Sequence, residues 1–416
     1  MNTELNKKFF SYVLPSILAF ALSGVYTIVD GFFIGQSLGD TGLTAITLGY
    51  PISALVGAIG TGLGLSGAIR FTILSAQGEA KKRQECFSGT MLLMLVVAGL
   101  LTAILFAFAE PILYLLGARG DMLNLCAEYA RVIALGAVFQ LLATGFVPFI
   151  RNMGGATVAM MAMVLGFVTN IVLDYAFVWV LSWGMAGAAW ATVLAQLVST
   201  VACFAYAFLR YPVLRLHRAD WHISLMDVKR HLTRGIPLGL QFSVLAVGII
   251  VMQAGVVRFD MRGAAMVSNA AQNGFGAANK LNNLIMTPMN AFGGAMTSFT
   301  AQNLGAGHYD RIKRGSLQAL GIVSILAALS VGLGLLAMRN DFFYHIFLSA
   351  DKVTPEAVRY GNALLYVDFA LYLFLAFIFV VRNCVQGIGR SGFVLGAGGA
   401  ELAARVAACL LLPTAI

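Results

Sequence analysis

The chain has 416 residues, of which 59% are hydrophobic and 11% charged, with a mean hydropathy of +0.84. Soluble domains carry about 25% charged residues, so a water-soluble globular protein is excluded and a multi-pass membrane protein is indicated. The net charge of +9 raises nucleic acid as a partner, but the basic residues sit in short segments between apolar runs. That pattern orients a membrane protein, and no nucleic-acid partner is expected.

The N-terminal MNTELNKKFF is short and lacks a cleavable-leader pattern, so the first apolar run is expected to stay in the protein. Apolar runs follow at about 11–34, 43–73, 90–109, 127–150, 156–180 and 185–209, then at about 234–257, 270–302, 316–338, 358–381 and 392–412. Each is long enough to cross a hydrocarbon core of about 30 Å. Starting in the cytoplasm and alternating sides puts most of the 27 Lys and Arg residues on inner loops. This predicts a multi-pass membrane protein with its N-terminus on the cytoplasmic side. The expected organisation is an N-terminal six-helix bundle over 1–210, a cytoplasmic basic linker over 211–233 and a C-terminal bundle over 234–416.

The two halves share punctuation. Pro15 in VLPSILAFAL pairs with Pro237 in GIPLGLQFSV. Gly78 in SAQGEAKKR pairs with Gly307 in GAGHYDRIKR, and Gly154, after Arg151-Asn152, pairs with Gly389 in QGIGRSG. The partners lie about 230 residues apart, which marks a duplicated bundle, a signature of secondary transporters. In this register Arg405 aligns with Asn170, and the second half lacks a counterpart of the sixth helix. The fold class is therefore an all-α membrane protein of two pseudo-symmetric bundles, a 6 + 6 pattern with about 11 helices present. The 45 glycines are read as close helix–helix contacts, which replace the hydrophobic drive that lipid does not supply. The five scattered cysteines show no metal spacing and are read as small apolar packing residues. The histidines His217, His222 and His231 fall in the basic linker without a ligand pattern.

A charge at bilayer depth costs roughly 2.5–3.5 kcal/mol on insertion scales, so each one there needs a partner or a function. Asp30, in VYTIVDGFFIG, and Asp174, in TNIVLDYAF, are such acids. Asn170 and Asp174 are four apart and share a helix face. With Asp30 and the hydroxyl of Thr192 they form a polar set for the N-terminal bundle. Carboxyl, amide and hydroxyl oxygens suit a proton or Na+, so Asp30 and Asp174 are also the residues expected to hold a sodium ion. No other metal, no cofactor beyond the coupling ion and no catalytic residue is expected. A second polar set in the C-terminal bundle comprises Lys280, Asp368, Glu401 and Arg405. Within it Glu401 and Arg405 are spaced to pair on one helix, and Lys280 has snorkelling as its alternative. The stretch TAQNLGAGHYDRIKRG is a helix stop with an inner charge cluster, since no strand or GK[ST] accompanies it. No HExxH, GxSxG or DxxD-type cluster lies at membrane depth, so an enzyme is not expected.

These residues resemble the multidrug and toxic compound extrusion (MATE) family, in its bacterial, DinF-like branch that keeps an acid in the first helix. The carriers are Asp30 in YTIVDGFFIG, Asn170 and Asp174 in NIVLD, Thr192 in GAAWAT, QNLGAG at 302–307, and RNCVQGIGRSG followed by GAELAAR. The resemblance implies twelve helices in two six-helix bundles around a central cavity. It also implies export of drugs and toxic organic compounds, often cationic, coupled to entry of protons or sodium at Asp30, Asn170, Asp174 and Thr192. Expected partners are small amphipathic organic cations and membrane lipids, and a monomer is expected. Another branch has a glutamate in the seventh helix, where this chain reads SVLAVGII with no acid. The alternative function is a flippase of lipid-linked precursors from the same wider superfamily. It calls for a cavity rich in Arg and Lys, for which Lys280, Arg70, Arg131 and Arg405 are the candidates.

Overall fold

A spanning segment surrounded by lipid must satisfy its own backbone N–H and C=O groups, and this chain does so with helices. The computed structural model describes residues 22, 33, 52–115, 120–214, 225–262, 265, 266, 268–348 and 352–415. Asp30, Pro15 and most of the run at 11–34 lie outside the described residues. The chain divides into two units, Met1–Leu240 and Gln241–Ile416.

The N-terminal unit contains α1 (Ile52–Ala76), α2 (Ala80–Ala107), the short α3 (Ala109–Leu115), α4 (Asp121–Asn152) and α5 (Ala156–Asp174). A six-residue π-helix (Tyr175–Val180) extends α5, and α6 (Gly184–Arg210) follows. The next helix, α7 (Leu225–Val257), contains the division between the units. The sequence placed the linker at 211–233, of which 215–224 lie outside the described residues. The helix begins well before the apolar run at 234, and His231 is buried inside it rather than in a loop. Gly62 of α1 lies against the backbone of Gly235 and Gly239, which ties the start of α7 to the N-terminal unit.

The C-terminal unit continues through a two-residue antiparallel ladder, β1 (Met261–Arg262) with β2 (Ala265–Met266). It then forms α8 (Ala270–Gly305), α9 (Tyr309–Met338), α10 (Phe342–Phe347), α11 (Pro355–Gly387) and α12 (Ser391–Ala415). Among the described residues eight helices are long and apolar enough to cross a membrane, namely α1, α2, α4, α5 with its π-helix, α6, α9, α11 and α12. The other two long helices, α7 and α8, have 33 and 36 residues. Amides account for α8: Gln272, Asn273, Asn279, Asn282 and Asn283 crowd its first half. A helix packed along α11 and α9 tolerates them because protein, not lipid, faces it.

Small residues set the packing distances. In the N-terminal unit α4 packs on α2, α5 and α6. A Cβ on Gly64 would collide with the backbone of Gly145, so α1 and α4 touch backbone to backbone there. Beside this contact Phe71, Phe87 and Phe149 interlock edge to face, with Phe71–Phe149 and Phe87–Phe149 centroids 5.6 and 5.3 Å apart. Asn152 then closes α4 onto α1, donating through Nδ2 to the Ala68 carbonyl (3.3 Å) and to Thr72 Oγ1 (2.9 Å). The C-terminal unit repeats the device. Thr297 of α8 donates through Oγ1 to Asn383 Oδ1 of α11 at 2.9 Å.

The paired glycines of the two halves have matched backbones. Gly78, Gly154, Gly307 and Gly389 have φ of +76°, +92°, +73° and +83°. After each, the next residue's N–H reaches back five positions: Glu79 to Leu74, Gly155 to Ile150, His308 to Asn303 and Arg390 to Val385, at 2.8–3.3 Å. All four are Schellman caps, which need the left-handed conformation that glycine adopts without penalty. They join α1 to α2, α4 to α5, α8 to α9 and α11 to α12 through connections of three residues.

At the other end of the C-terminal unit, Asp260 caps α8 from a distance. Its carboxylate accepts from the N–H groups of Ala271 and Gln272 (both 2.9 Å) and from Ser268 Oγ (2.8 Å). Burial pushes the carboxyl pKa up, but these donors outweigh it and hold it below the ordinary value of 3.8. A depressed carboxyl pKa stabilises the fold above the unfolded-state value, and that stability disappears as the pH falls through the folded-state value. Asp260→Asn is expected to cost about 2 kcal/mol at neutral pH. The melting-temperature gap to the parent in detergent should stay constant from pH 7 to 5 and narrow only below about 3.8.

Candidate functional site

The buried face of α5 is a stripe of Ala156, Ala159, Ala162, Gly166, Asn170 and Asp174. The three- and four-residue steps are those of one helix face. Met161, Leu165, Val168 and Val172 take the exposed face. The stripe thus begins with small apolar residues and ends in an amide and a carboxyl, with Asn170 1% and Asp174 0% exposed. The sequence separation of four is realised as one polar edge pointing into the N-terminal unit.

Two close approaches set the neighbouring register. Gly166 meets Ser199 and Ala195 of α6, and Gly187 meets the backbone of Phe177. Between these points the antiparallel course puts Thr192 opposite the turn of α5 between Asn170 and Asp174. Thr192 is half-buried and donates to the Ala188 carbonyl at 3.1 Å. Asn170, Asp174 and Thr192 therefore share one level of the N-terminal unit. Asp30, the fourth member expected from the sequence, lies outside the described residues.

One part of this site has no counterpart in the sequence reading. Directly after Asp174 the backbone shifts to π-helical bonding over Tyr175–Val180. Such segments are rare and concentrate at functional sites. The shift carries Tyr175 and Trp179 to the same side, where both meet Phe33. The only hint in the sequence is the spacing of Tyr175, Trp179 and Trp183 at steps of four.

The second polar set divides into parts. Glu401 Oε1 accepts from Arg405 at 2.6 Å, and Glu401 Oε2 accepts from Arg382 at 3.0 Å. Arg382, counted by the sequence as an inner-loop residue, lies inside α11 with only 9% of its side chain exposed. The helix runs on to Gly387 because the cap at Gly389, not the arginine, ends it. Arg405 also lies against Gly248 of α7 and is close enough to Asp368 to act on it electrostatically. Asp368 lies on α11. It is half-buried and accepts from Asn282 Nδ2 of α8 at 2.9 Å. Lys280 is exposed and points elsewhere, its ammonium 5.6 Å from the Phe347 ring centroid. Among the described residues no three His, Cys, Asp or Glu gather as a metal-ligand group.

Two arginines on one carboxylate leave the triad with an excess positive charge. Removing the acid should therefore be worse than removing one base. Glu401→Gln is expected to destabilise the detergent-solubilised protein by about 2 kcal/mol, and Arg382→Met by less. Melting temperatures of the two variants check the order.

With this geometry in place, the comparisons with known proteins read directly. The sequence model of the MatE family matches twice, over residues 15–176 and 246–408, one match per half. A FAD transporter of Shewanella oneidensis is 24% identical over 93% of this chain and 80% of its own length. A probable multidrug resistance protein of Bacillus subtilis, YpnP, is 27% identical over 92% of this chain and 82% of its own length. Multidrug export protein MepA of Staphylococcus saprophyticus is 30% identical over 48% of this chain and 44% of its own length. Among solved structures, an outward-facing multidrug resistance MATE transporter of the MOP superfamily superposes with a TM-score of 0.84 at 21% identity, covering 94% of this chain and 84% of that one. A MATE protein in its bent conformation gives 0.82 at 22% identity with the same coverage. Likenesses at this identity establish the two-lobed helical transporter fold, and the family matches cover most of the chain. The chain therefore belongs to the MatE family of membrane transporters.

Proposed function

We propose that the protein is an antiporter of the bacterial cytoplasmic membrane that exports amphipathic organic compounds, many of them cationic, against entry of protons or sodium. Asp30, Asn170, Asp174 and Thr192 are the coupling set. The observation that carries this reading is the burial of both Asp174 and Asn170 on one face of α5. A carboxylate there is costly unless it exchanges a proton or cation. Multidrug export proteins among the relatives support the drug-export half of the reading.

In the cycle, a proton or sodium ion neutralises the Asp30–Asp174 set. With its charge cancelled, the first helix bends at Pro15 or Gly24 and substrate is released. Return of the ion to the cytoplasm resets the site. One charge crossing 100 mV is worth about 2.3 kcal/mol, enough for roughly a fiftyfold gradient of a neutral substrate, whereas one-for-one exchange of a monovalent cation is electroneutral and draws only on the ion's concentration gradient.

A second substrate class rests on one observation. Arg382 and Arg405, both on Glu401, are basic groups that would meet an anionic dinucleotide of the kind named for the Shewanella relative. The lipid-precursor flippase has less support, since Lys280 is exposed and turned to Phe347.

The test is ethidium efflux from proteoliposomes with proton and sodium gradients imposed separately, and FAD as the competing substrate. Asp174→Asn should reduce gradient-driven efflux to the unenergised background while leaving the amount of inserted protein unchanged. Undiminished efflux in that variant would sink the coupling assignment. FAD transport without ethidium transport would replace the substrate class.

A further inference from the structure

The π-helix after Asp174 places an aromatic surface beside the polar stripe. Tyr175 and Trp179, four apart in this π-helix, lie side by side with centroids 6.4 Å apart at 41°. Phe33 completes a near-equilateral triangle, 6.2 Å from Tyr175 at 64° and 5.8 Å from Trp179 at 79°. An edge-to-face contact covers one face of the receiving ring and leaves its opposite face uncovered. Tyr175 and Trp179 are 53% and 48% exposed, so both keep a face open for a ligand.

The local charge selects the kind of ligand. Asp174 precedes Tyr175 in the chain and is the only Asp, Glu, Lys or Arg between Arg151 and Arg210. No basic side chain of α5 or α6 within that stretch opposes a cation. Ring faces are themselves negative, and indole is the best of them for holding a cation. Asp174 is fully buried, so a bulky ligand touches the rings and feels the carboxylate only through its field. The platform offers almost no hydrogen-bond acceptors, the Tyr175 hydroxyl aside. A primary ammonium, which needs three acceptors, fits it poorly. A quaternary ammonium, which needs none, fits well.

We propose that Phe33, Tyr175 and Trp179 form a docking platform for quaternary and aromatic organic cations beside the buried Asp174. An aromatic anchor in the lipid interface is the competing role, and it would hold a neutral group as readily as a charged one. The proposal deepens the export reading and rests on it for the transport consequence only.

The experiment uses the full chain in phosphatidylcholine nanodiscs and two probes of one shape, benzyltrimethylammonium and neutral neopentylbenzene. Tryptophan at position 179 is replaced by mono-, di- and trifluorotryptophan, which keep the ring's size while draining its face of negative charge. Affinity for benzyltrimethylammonium should fall stepwise with fluorine number, by about tenfold overall. Phe33→Leu and Tyr175→Leu should each weaken it by about threefold, and neopentylbenzene should not compete. A flat fluorine series, equal competition by the neutral probe, or no binding to the parent protein would overturn the platform. Asp174→Asn separates the two ideas. Lost ethidium export with a steep fluorine series retains both. Undiminished export in that variant removes the coupling assignment alone, and a flat series with gradient-driven export intact in the parent removes the platform alone.

Discussion

A carboxyl group has no water to hold it at bilayer depth, and Asp174 is fully enclosed there. The chain around it is arranged to make that tenable. The stripe of α5 is stripped to Ala and Gly as far as Gly166, so α6 approaches closely there. The helix then changes hydrogen-bond register immediately after it. Close packing, polar edge and π-helix thus follow from keeping one acid dry on one face of one helix.

The C-terminal unit handles charge in another way. Its ionised groups compensate one another: Glu401 takes one arginine on each oxygen, and Asp368 is held by an amide and lies near Arg405. Each charged group named here meets another before it meets lipid. The two halves share helix ends and inter-helix Asn–Thr latches, yet differ in the chemistry they enclose. Duplication fixed the scaffold, and the polar groups diverged on it.

Much of this was legible in the sequence because it depends on period and on backbone rules. Asn170 and Asp174 are four apart, and burial of one entails burial of the other on a straight helix. The glycines at 78, 154, 307 and 389 stood out as shared punctuation, and each has the positive φ that only glycine adopts freely. Other features escaped for definite reasons. The π-helix is a one-position shift in bonding and leaves no mark in composition. Arg382 read as a loop residue because hydropathy falls off before the helix does; a counter-ion nineteen positions on lets it stay buried. Likewise α7 starts at Leu225, where an amphipathic segment continues beyond the apolar run and hydropathy cannot see it. Lys280 shares a helix turn with Asn282, but two positions turn a side chain far round the axis, and only the amide meets Asp368.

The four glycine caps have a mechanical corollary. Each joins two rods through a joint of three residues whose amides are all bonded back to the preceding helix, which stiffens the joint against a swing. Within a unit, α1 with α2, α4 with α5, α8 with α9 and α11 with α12 must travel as rigid forks. Any rearrangement that a cargo requires is then confined to the opposite ends of the rods.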